Sequence, residues 1–378
     1  MCDNVENFEV VLANGDVVNA NRLDNPDLFT VLKGGSNNFG IVTRIDLTTF
    51  ELPSGNIWGG VILYPDVTIP AQIKAFVDFN NNIEQYPGAS LITFWAYSSV
   101  AGVVVVQNCY EYTMPLEPTL EPGAPPSPIF KDLFAIEPQI PPTPQLPTTN
   151  TIRAATLSSL TDELEAAFNL RDLFSTLTFA NDEKLIADVY AISTKKLEPL
   201  KKTAGLNWVT MFQPLPTVFS KHSVEKGGNV LGLDRATTNQ VLFLFFVQWA
   251  DPADDAVLNK AADDLLAEVT ALAKERGLHN EFIYLNYATD RQDVLSGYGG
   301  DNLAKMKAAA AKYDPQGVFQ KLVPGGYKIS AVGGKKVTAP GPGTVPGGSG
   351  SSNVGQGSGA GVNGGYAPNV KLPGEQAS

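Results

Sequence analysis

The sequence predicts an α+β fold in which helices cover antiparallel β-sheets. Segments rich in β-branched and aromatic residues alternate with amphipathic segments along residues 61–278. These segments lack the regular strand-helix-strand repeat of about 30 residues that builds a parallel sheet. An Asn-Gly pair between two strand-like runs near the start of the chain indicates a tight antiparallel hairpin.

The first 50 residues contain a hairpin, a helix and a third strand. Asn-Gly tolerates the positive φ that a two-residue hairpin turn needs. Asn at the cap and Pro in the first turn favour a helix start, and two glycines favour its end. The predicted elements are a strand over 8–13, a strand over 17–20, a helix from Asn25 to Gly34-Gly35, and a strand over 41–47.

Residues 61–278 are predicted to form a substrate domain in which an antiparallel sheet is covered by helices. Its predicted helices span 70–86, 161–170, 181–200 and 252–277, and its predicted strands span 91–97, 103–109, 173–180, 206–214 and 241–249. Residues 114–149 hold 11 of the 27 prolines, which predicts an extended surface loop anchored by its few apolar residues. Residues 331–378 hold 14 of the 35 glycines, which predicts a disordered tail.

Composition excludes several classes of function. The 378 residues, 43% of them hydrophobic, are enough for about two domains, and the net charge of −12 argues against nucleic acids or anionic membranes as partners. The longest apolar run is far shorter than the roughly 20 residues of a membrane helix. Two histidines and two cysteines without ligand spacing predict no metal site, and motifs of hydrolases and NTPases are absent.

A glycine-flanked turn from Lys33 to Thr43 is the first candidate site. Small residues let backbone amides approach an anionic or planar ligand closely. The alternative is a helix C-cap followed by a loop that enters a strand.

The second candidate is Tyr284, Asn286 and Tyr287 in a predicted strand over 281–289. Strand alternation places Phe282, Tyr284 and Asn286 on one face, where a phenol beside an amide could hold and deprotonate a substrate hydroxyl. The alternative is a stripe of core aromatic residues whose polar ends find backbone partners.

The predicted strand over 241–249 presents two different faces. One face is apolar throughout and is predicted to be core, namely Val241, Phe243, Phe245, Val247 and Trp249. The other face carries Leu244, Phe246 and Gln248, which we predict to form a wall of the substrate pocket.

Two motifs resemble a known family. The stretch from Asn25-Pro26-Asp27-Leu28-Phe29 to Lys33-Gly34-Gly35-Ser36-Asn37-Asn38-Phe39-Gly40-Ile41-Val42-Thr43 is similar to the signature of FAD-linked oxidases of the vanillyl-alcohol oxidase type, which carry a PCMH-type FAD-binding domain. Tyr284-Leu285-Asn286-Tyr287, followed by Tyr298-Gly299, Asn302-Leu303, Lys312-Tyr313-Asp314-Pro315 and Gly317-Val318-Phe319, resembles the C-terminal segment of berberine-bridge enzymes. The resemblance covers roughly residues 1–328 and is nearest to fungal members of the berberine-bridge-like group.

The resemblance implies a flavoprotein oxidase with FAD, a small-molecule substrate and O₂ as its partners. It implies hydride transfer from a C–H bond to flavin N5, with Tyr284 as the general base that removes a hydroxyl or amine proton. O₂ would then reoxidise the flavin and give hydrogen peroxide. The implied FAD contacts are Gly34, Gly35, Asn38, Gly40, Ile41 and Val42 on one side and Asn286 and Tyr287 on the other.

The chain departs from the family pattern at its start. The N-terminal half of the PCMH-type domain, with its pyrophosphate loop and flavin-tethering residues, has no counterpart here. We therefore expect residues 1–60 to be the C-terminal part of that domain, with 279–330 returning to it. The alternative function is a truncated, non-catalytic fragment or ligand-binding protein unable to hold FAD. Localisation stays open, and a signal peptide lost with the absent half is compatible with secretion.

Overall fold

The computed structural model describes residues 2–52, 54–117, 120–121, 123–144, 146–164, 169–323 and 325–333. The predicted tail lies outside these residues from 334 onward, and part of the predicted helix over 161–170 also does. The strands are β1 (Val5–Val11), β2 (Val17–Asn21), β3 (Ile41–Leu47), β4 (Ile57–Pro65), β5 (Ala89–Ser98), β6 (Val104–Tyr112), β7 (Arg153–Ala155), β8 (Arg171–Ala180), β9 (Asn207–Leu215), β10 (Gln240–Trp249) and β11 (His279–Asn280). The helices are α1 (Pro26–Leu32), α2 (Ile69–Asn82), α3 (Lys131–Phe134), α4 (Leu157–Thr161), α5 (Glu183–Leu197), α6 (Thr217–Glu225), α7 (Asp255–Glu275), α8 (Gly300–Tyr313) and α9 (Val318–Lys321).

A small antiparallel sheet opens the fold, with strand order β2-β1-β3. Gly15 takes a φ of +89° in the turn that joins β1 to β2, so the predicted hairpin is confirmed. Helix α1 covers the sheet, and the Phe8 and Phe29 rings lie 5.9 Å apart. Asn25 holds the predicted cap position before Pro26, but its side chain makes no capping hydrogen bond. Its backbone is left-handed, and its side chain instead donates to the Asn19 carbonyl at 2.8 Å.

The large sheet has eight strands in the order β11-β8-β10-β9-β5-β6-β4-β7, and every pairing is antiparallel. This arrangement confirms the α+β class. The predicted core face of β10 is also confirmed, because its five residues are buried together with apolar residues of α2, α5 and α7 in one hydrophobic cluster. These helices cover that face of the sheet and leave the opposite face for other segments.

The proline-rich segment holds a short helical stretch that the sequence did not predict. Phe130 is fully buried and its ring lies 5.5 Å from Trp58 and 5.8 Å from Phe79. Helix α3 follows directly, and its residue Leu133 is also buried. The predicted anchoring by apolar residues is therefore confirmed, while the expectation of a purely extended loop is wrong.

A second hydrophobic cluster joins residues from both ends of the described chain. Phe8 and Phe29 of the small sheet and α1 pack with Phe282, Met306 and Ile329. The segments predicted at 1–60 and 279–330 thus share one core, although the exact domain boundaries stay predictions. Within the described ranges, no helix is both long and apolar enough to cross a lipid bilayer.

Candidate active site

A cavity of about 780 Å³ lies where the small sheet, α6 and the segment around Tyr284 meet. Its walls include side chains from the first residues of the chain, from β3 and from the α6 region. The polar groups that line it include Cys2, Asp3, Ser36, Asn229, Tyr284 and Asn286. Residues from both candidate motifs therefore face one space, as the resemblance implies.

The glycines of the Lys33–Thr43 turn are required by close packing. Gly34 lines the cavity with a φ of +119°, and a Cβ there would lie 2.6 Å from the Leu231 side chain. A Cβ at Gly35 would lie 2.4 Å from the Val31 carbonyl oxygen, and one at Gly40 would lie 2.4 Å from Val10 Cγ1. Packing alone thus explains Gly35 and Gly40, and their predicted contact with FAD stays a prediction.

Asn38 is fully buried, and its side chain is occupied by contacts within the protein. Its Nδ2 donates to the Gly35 carbonyl at 2.8 Å and to the Tyr327 carbonyl at 2.9 Å. Its Oδ1 accepts from Gln320 Nε2 at 2.9 Å and from the Ile329 backbone N–H at 3.2 Å. Asn38 therefore holds the C-terminal segment around Gln320 to Ile329 against the glycine turn. Its predicted contact with FAD stays a prediction.

Ile41 and Val42 begin β3, one of the two edge strands of the small sheet. They are 59% and 37% exposed, so both present apolar surface outward. Neither lines the cavity, although Ile45 and Leu47 of the same strand do. The predicted FAD contacts of Ile41 and Val42 stay predictions.

Lys33 links the glycine turn to the end of α6. Its side chain is fully buried, with Nζ 4.3 Å from the centre of the Phe29 ring and donating to the Lys226 carbonyl at 3.3 Å. Burial lowers the pKa of Lys33 because it removes water from the ammonium group. The Lys33 carbonyl accepts from the Val230 N–H at 3.2 Å, so a backbone hydrogen bond also joins the glycine turn to the segment that follows α6. Two walls of the cavity are thereby held together.

The Tyr284 hydroxyl and the Asn286 amide meet, but not through strand alternation. The strand predicted over 281–289 is wrong: β11 ends at Asn280, and Leu285–Tyr287 forms a 3₁₀ turn. Within this turn Asn286 Nδ2 donates to the Tyr284 hydroxyl at 2.8 Å. The predicted pairing of phenol and amide is therefore present at the cavity wall, because a turn brings residues two apart together.

Tyr287 is buried behind this pair. Its ring meets the Tyr284 ring edge to face at 4.9 Å, and its hydroxyl accepts from Gln213 Nε2 at 3.0 Å. Gln213 lies on β9, more than 70 positions earlier, so no local pattern could have assigned it. Tyr287 thus connects Tyr284 to the large sheet, and its predicted contact with FAD stays a prediction.

The predicted substrate wall on β10 is buried away from the cavity lining. Leu244, Phe246 and Gln248 are 0%, 2% and 3% exposed. Phe246 stacks on Phe174 at 4.6 Å, and Phe174 in turn lies 6.3 Å from Tyr287. This places the three residues on the side of the sheet that Tyr287 contacts. Their role in substrate binding stays a prediction.

Tyr298 is a cavity residue that the site predictions missed. It is 1% exposed, lines the cavity, and its hydroxyl has no hydrogen-bond partner among the described residues. The Tyr298-Gly299 pair in the family-like segment was the available signal. Across the same described ranges, no group of three or more His, Cys, Asp or Glu side chains is arranged to hold a metal ion.

Two solved structures with a similar fold are oxidases by name. The chain aligns with 6-hydroxy-D-nicotine oxidase from Arthrobacter nicotinovorans at a TM-score of 0.61 and 18% identity, covering 84% of this chain and 65% of that one. It aligns with xylooligosaccharide oxidase from Myceliophthora thermophila C1 at a TM-score of 0.60 and 18% identity, covering 89% and 67%. These likenesses show the fold of PCMH-type FAD-binding oxidases.

Sequence comparison finds relatives named FAD-dependent monooxygenases, while no protein-family model matches the chain. The relative drtC of Aspergillus calidoustus is 39% identical over 88% of this chain and 60% of its own length. The relative sdcF of Emericella nidulans is 36% identical over 87% of this chain and 66% of its own length. The chain thus spans about three fifths to two thirds of these relatives. CTB5 of Cercospora nicotianae is 32% identical over 88% of this chain and 71% of its own length. The chain belongs to the family of FAD-dependent monooxygenases that these relatives represent.

Proposed function

We propose that this chain works as an FAD-dependent oxidoreductase that oxidises a small-molecule substrate and uses O₂. The observation that carries the proposal is the Tyr284–Asn286 hydrogen bond at the wall of a cavity that Gly34 also lines. The relatives' names support FAD as the cofactor.

The residues at the cavity fit a large, partly polar cofactor. The Tyr298 hydroxyl, buried and without a partner among the described residues, favours a ligand that offers a polar atom there. Gly34 and Asn286 are the predicted contacts that line the cavity, so they would hold FAD directly. Gly35, Asn38 and Gly40 would support this surface from behind, since their surroundings are already filled by protein.

FAD, when bound, supplies the two-electron oxidation of a substrate C–H bond and the reaction with O₂. Tyr284 would take the proton from the substrate hydroxyl or amine whose carbon loses the hydride. The hydrogen bond that Asn286 donates stabilises negative charge on the phenol oxygen of Tyr284 and holds that oxygen in one position. Tyr287, held by Gln213, limits rotation of the Tyr284 ring from the opposite side.

The experiment that tests cofactor binding is a titration of the purified chain with FAD, followed by desalting and an absorption spectrum. A flavin spectrum that stays with the protein supports the proposal. Protein that stays colourless would overturn it for this chain and favour the alternative, a ligand-binding protein without a cofactor.

Oxidase and monooxygenase chemistry differ in the fate of oxygen. We expect turnover with a small alcohol or amine to release about one hydrogen peroxide per product and to place no ¹⁸O from ¹⁸O₂ into the product. Incorporation of one ¹⁸O atom, without peroxide, would instead assign monooxygenase chemistry and overturn the oxidase step.

A further inference from the structure

Tyr298 combines complete burial with an unpaired hydroxyl at the cavity. Buried tyrosine hydroxyls are usually hydrogen-bonded. Tyr64 and Tyr110 are an example, since their hydroxyl oxygens lie 3.2 Å apart and form a hydrogen bond with each other. The Tyr298 hydroxyl has no such partner among the described residues. Because an unpaired buried hydroxyl costs free energy, its presence at a cavity indicates a partner that the described residues do not supply.

Both the ring and the backbone of Tyr298 are held in place by neighbouring residues. Its ring stacks on Phe282 at 6.0 Å with an interplanar angle of 20°. Its carbonyl accepts from Asn302 Nδ2 at 3.1 Å, and a Cβ at Gly232 would lie only 2.4 Å from the same carbonyl oxygen. Arg235 Nη2 donates to the neighbouring Gly297 carbonyl at 2.7 Å. The phenol therefore has little freedom to turn toward another protein acceptor.

The surroundings keep this phenol neutral. Burial raises the pKa of Tyr298 well above its ordinary value, and the nearby ionisable groups Cys2, Tyr284 and Tyr327 raise it further. A neutral phenol has an O–H to donate. A hydrogen-bond acceptor in the cavity would therefore satisfy this O–H.

We propose that the Tyr298 hydroxyl donates a hydrogen bond to a polar atom of FAD bound in this cavity, which makes Tyr298 a cofactor-binding residue. This inference rests on the proposed function, because FAD must occupy the cavity. It differs from the predicted contacts at Gly34 and Asn286, which lie on other segments of the wall.

The test is Tyr298→Phe, which removes a single oxygen atom. In the FAD-free protein this oxygen is buried and has no partner among the described residues, so its loss should raise Tm by about 2 °C. With FAD present, the lost hydrogen bond should raise the Kd for FAD by about threefold to tenfold, measured by quenching of flavin fluorescence. The variant would thus gain stability and lose affinity for FAD, a combination that a purely structural role would not produce.

Tyr97→Phe is the matched control. The Tyr97 hydroxyl donates to the Lys201 carbonyl at 3.0 Å, and Tyr97 does not line the cavity. Its loss should lower Tm slightly and leave the Kd for FAD unchanged.

Three outcomes would overturn the inference. An unchanged Kd for FAD in Tyr298→Phe would refute it while leaving the proposed function in place. A fall in both Tm and FAD affinity would show that Tyr298 acts by supporting the fold. If the wild-type chain does not bind FAD, both the inference and the proposed function fail.

Discussion

The side-chain amide of Asn38 donates a 2.9 Å hydrogen bond to the backbone carbonyl of Tyr327, 289 positions further along the chain. With its bonds from Gln320 and Ile329, it fastens the C-terminal segment to the glycine turn. The turn that resembles a cofactor-binding motif is therefore also the attachment point of the last described segment.

Asn38→Asp should loosen this attachment. The new carboxylate keeps the two acceptor positions but loses both donated bonds and faces two carbonyl oxygens while buried. We expect the free energy of unfolding to fall by about 3 kcal/mol, measured by urea denaturation.

Asn37→Asp is the matched control for this change. Asn37 Oδ1 accepts from Lys328 Nζ at 3.0 Å, and a carboxylate keeps that bond. Its stability should stay within about 0.5 kcal/mol of the wild type. Equal stability of Asn38→Asp and the wild type would contradict the fastening role.

Tyr284→Phe should remove the proposed proton acceptor and keep the fold. We expect turnover to fall by roughly 10²- to 10⁴-fold with flavin retained, measured by oxygen consumption and by the absorption spectrum. Tyr97→Phe, outside the cavity, serves as the control for a lost hydroxyl. Full turnover by Tyr284→Phe would take this residue out of the mechanism.

Asp27 should make the stability of the folded protein decrease at acidic pH. Burial alone would raise the pKa of Asp27, but hydrogen bonds from Lys312 and Tyr313, both of 2.7 Å, lower it below 3.8. A carboxyl whose pKa is lower in the folded state stabilises the protein above the unfolded pKa and loses this effect as pH falls through the folded pKa.

Asp27→Asn tests this dependence through Tm. Because the Asp27 and Lys312 side chains are 45% and 57% exposed, we expect a loss of only about 0.5 to 1 kcal/mol near neutral pH. The difference in Tm from the wild type should shrink as pH falls below 3.8. A difference that stays constant across this range would assign the effect to packing.

The two cysteines should differ in reactivity. Burial raises the pKa of the Cys109 thiol to about 12, so almost no thiolate forms there near neutral pH. Burial and the neighbouring Asp3 also raise the pKa of Cys2, which is partly exposed and lines the cavity. A thiol reagent should modify Cys2 slowly, and Cys109 only after denaturation.

The matched variants Cys2→Ser and Cys109→Ala separate these two thiols. Native Cys2→Ser should show no reactive thiol, whereas native Cys109→Ala should react like the wild type. Rapid reaction of two thiols in the native wild type would refute the burial of Cys109.

Local sequence patterns predicted most of the sheet but only part of the site. The strands β8 to β10 were predictable because β-branched and aromatic residues fill whole runs, and Asn14-Gly15 marked the hairpin. The spacing of Tyr284, Asn286 and Tyr287 fits both a strand and a tight turn, so the pattern could not separate them. Gln213 acts through a contact fixed by a distant segment, which leaves no local signal, whereas Tyr298 lies in the Tyr298-Gly299 pair of the family-like segment.

The shared hydrophobic cluster has a consequence for the order of events during synthesis. Phe8 and Phe29 pack with Met306 and Ile329, so their common core stays incomplete until nearly all the described chain has left the ribosome. At 5 to 20 residues per second, that interval is roughly 15 to 60 s. The large sheet, whose strands lie between these ends, can form first, and a nascent chain would need protection of its early apolar residues throughout this delay.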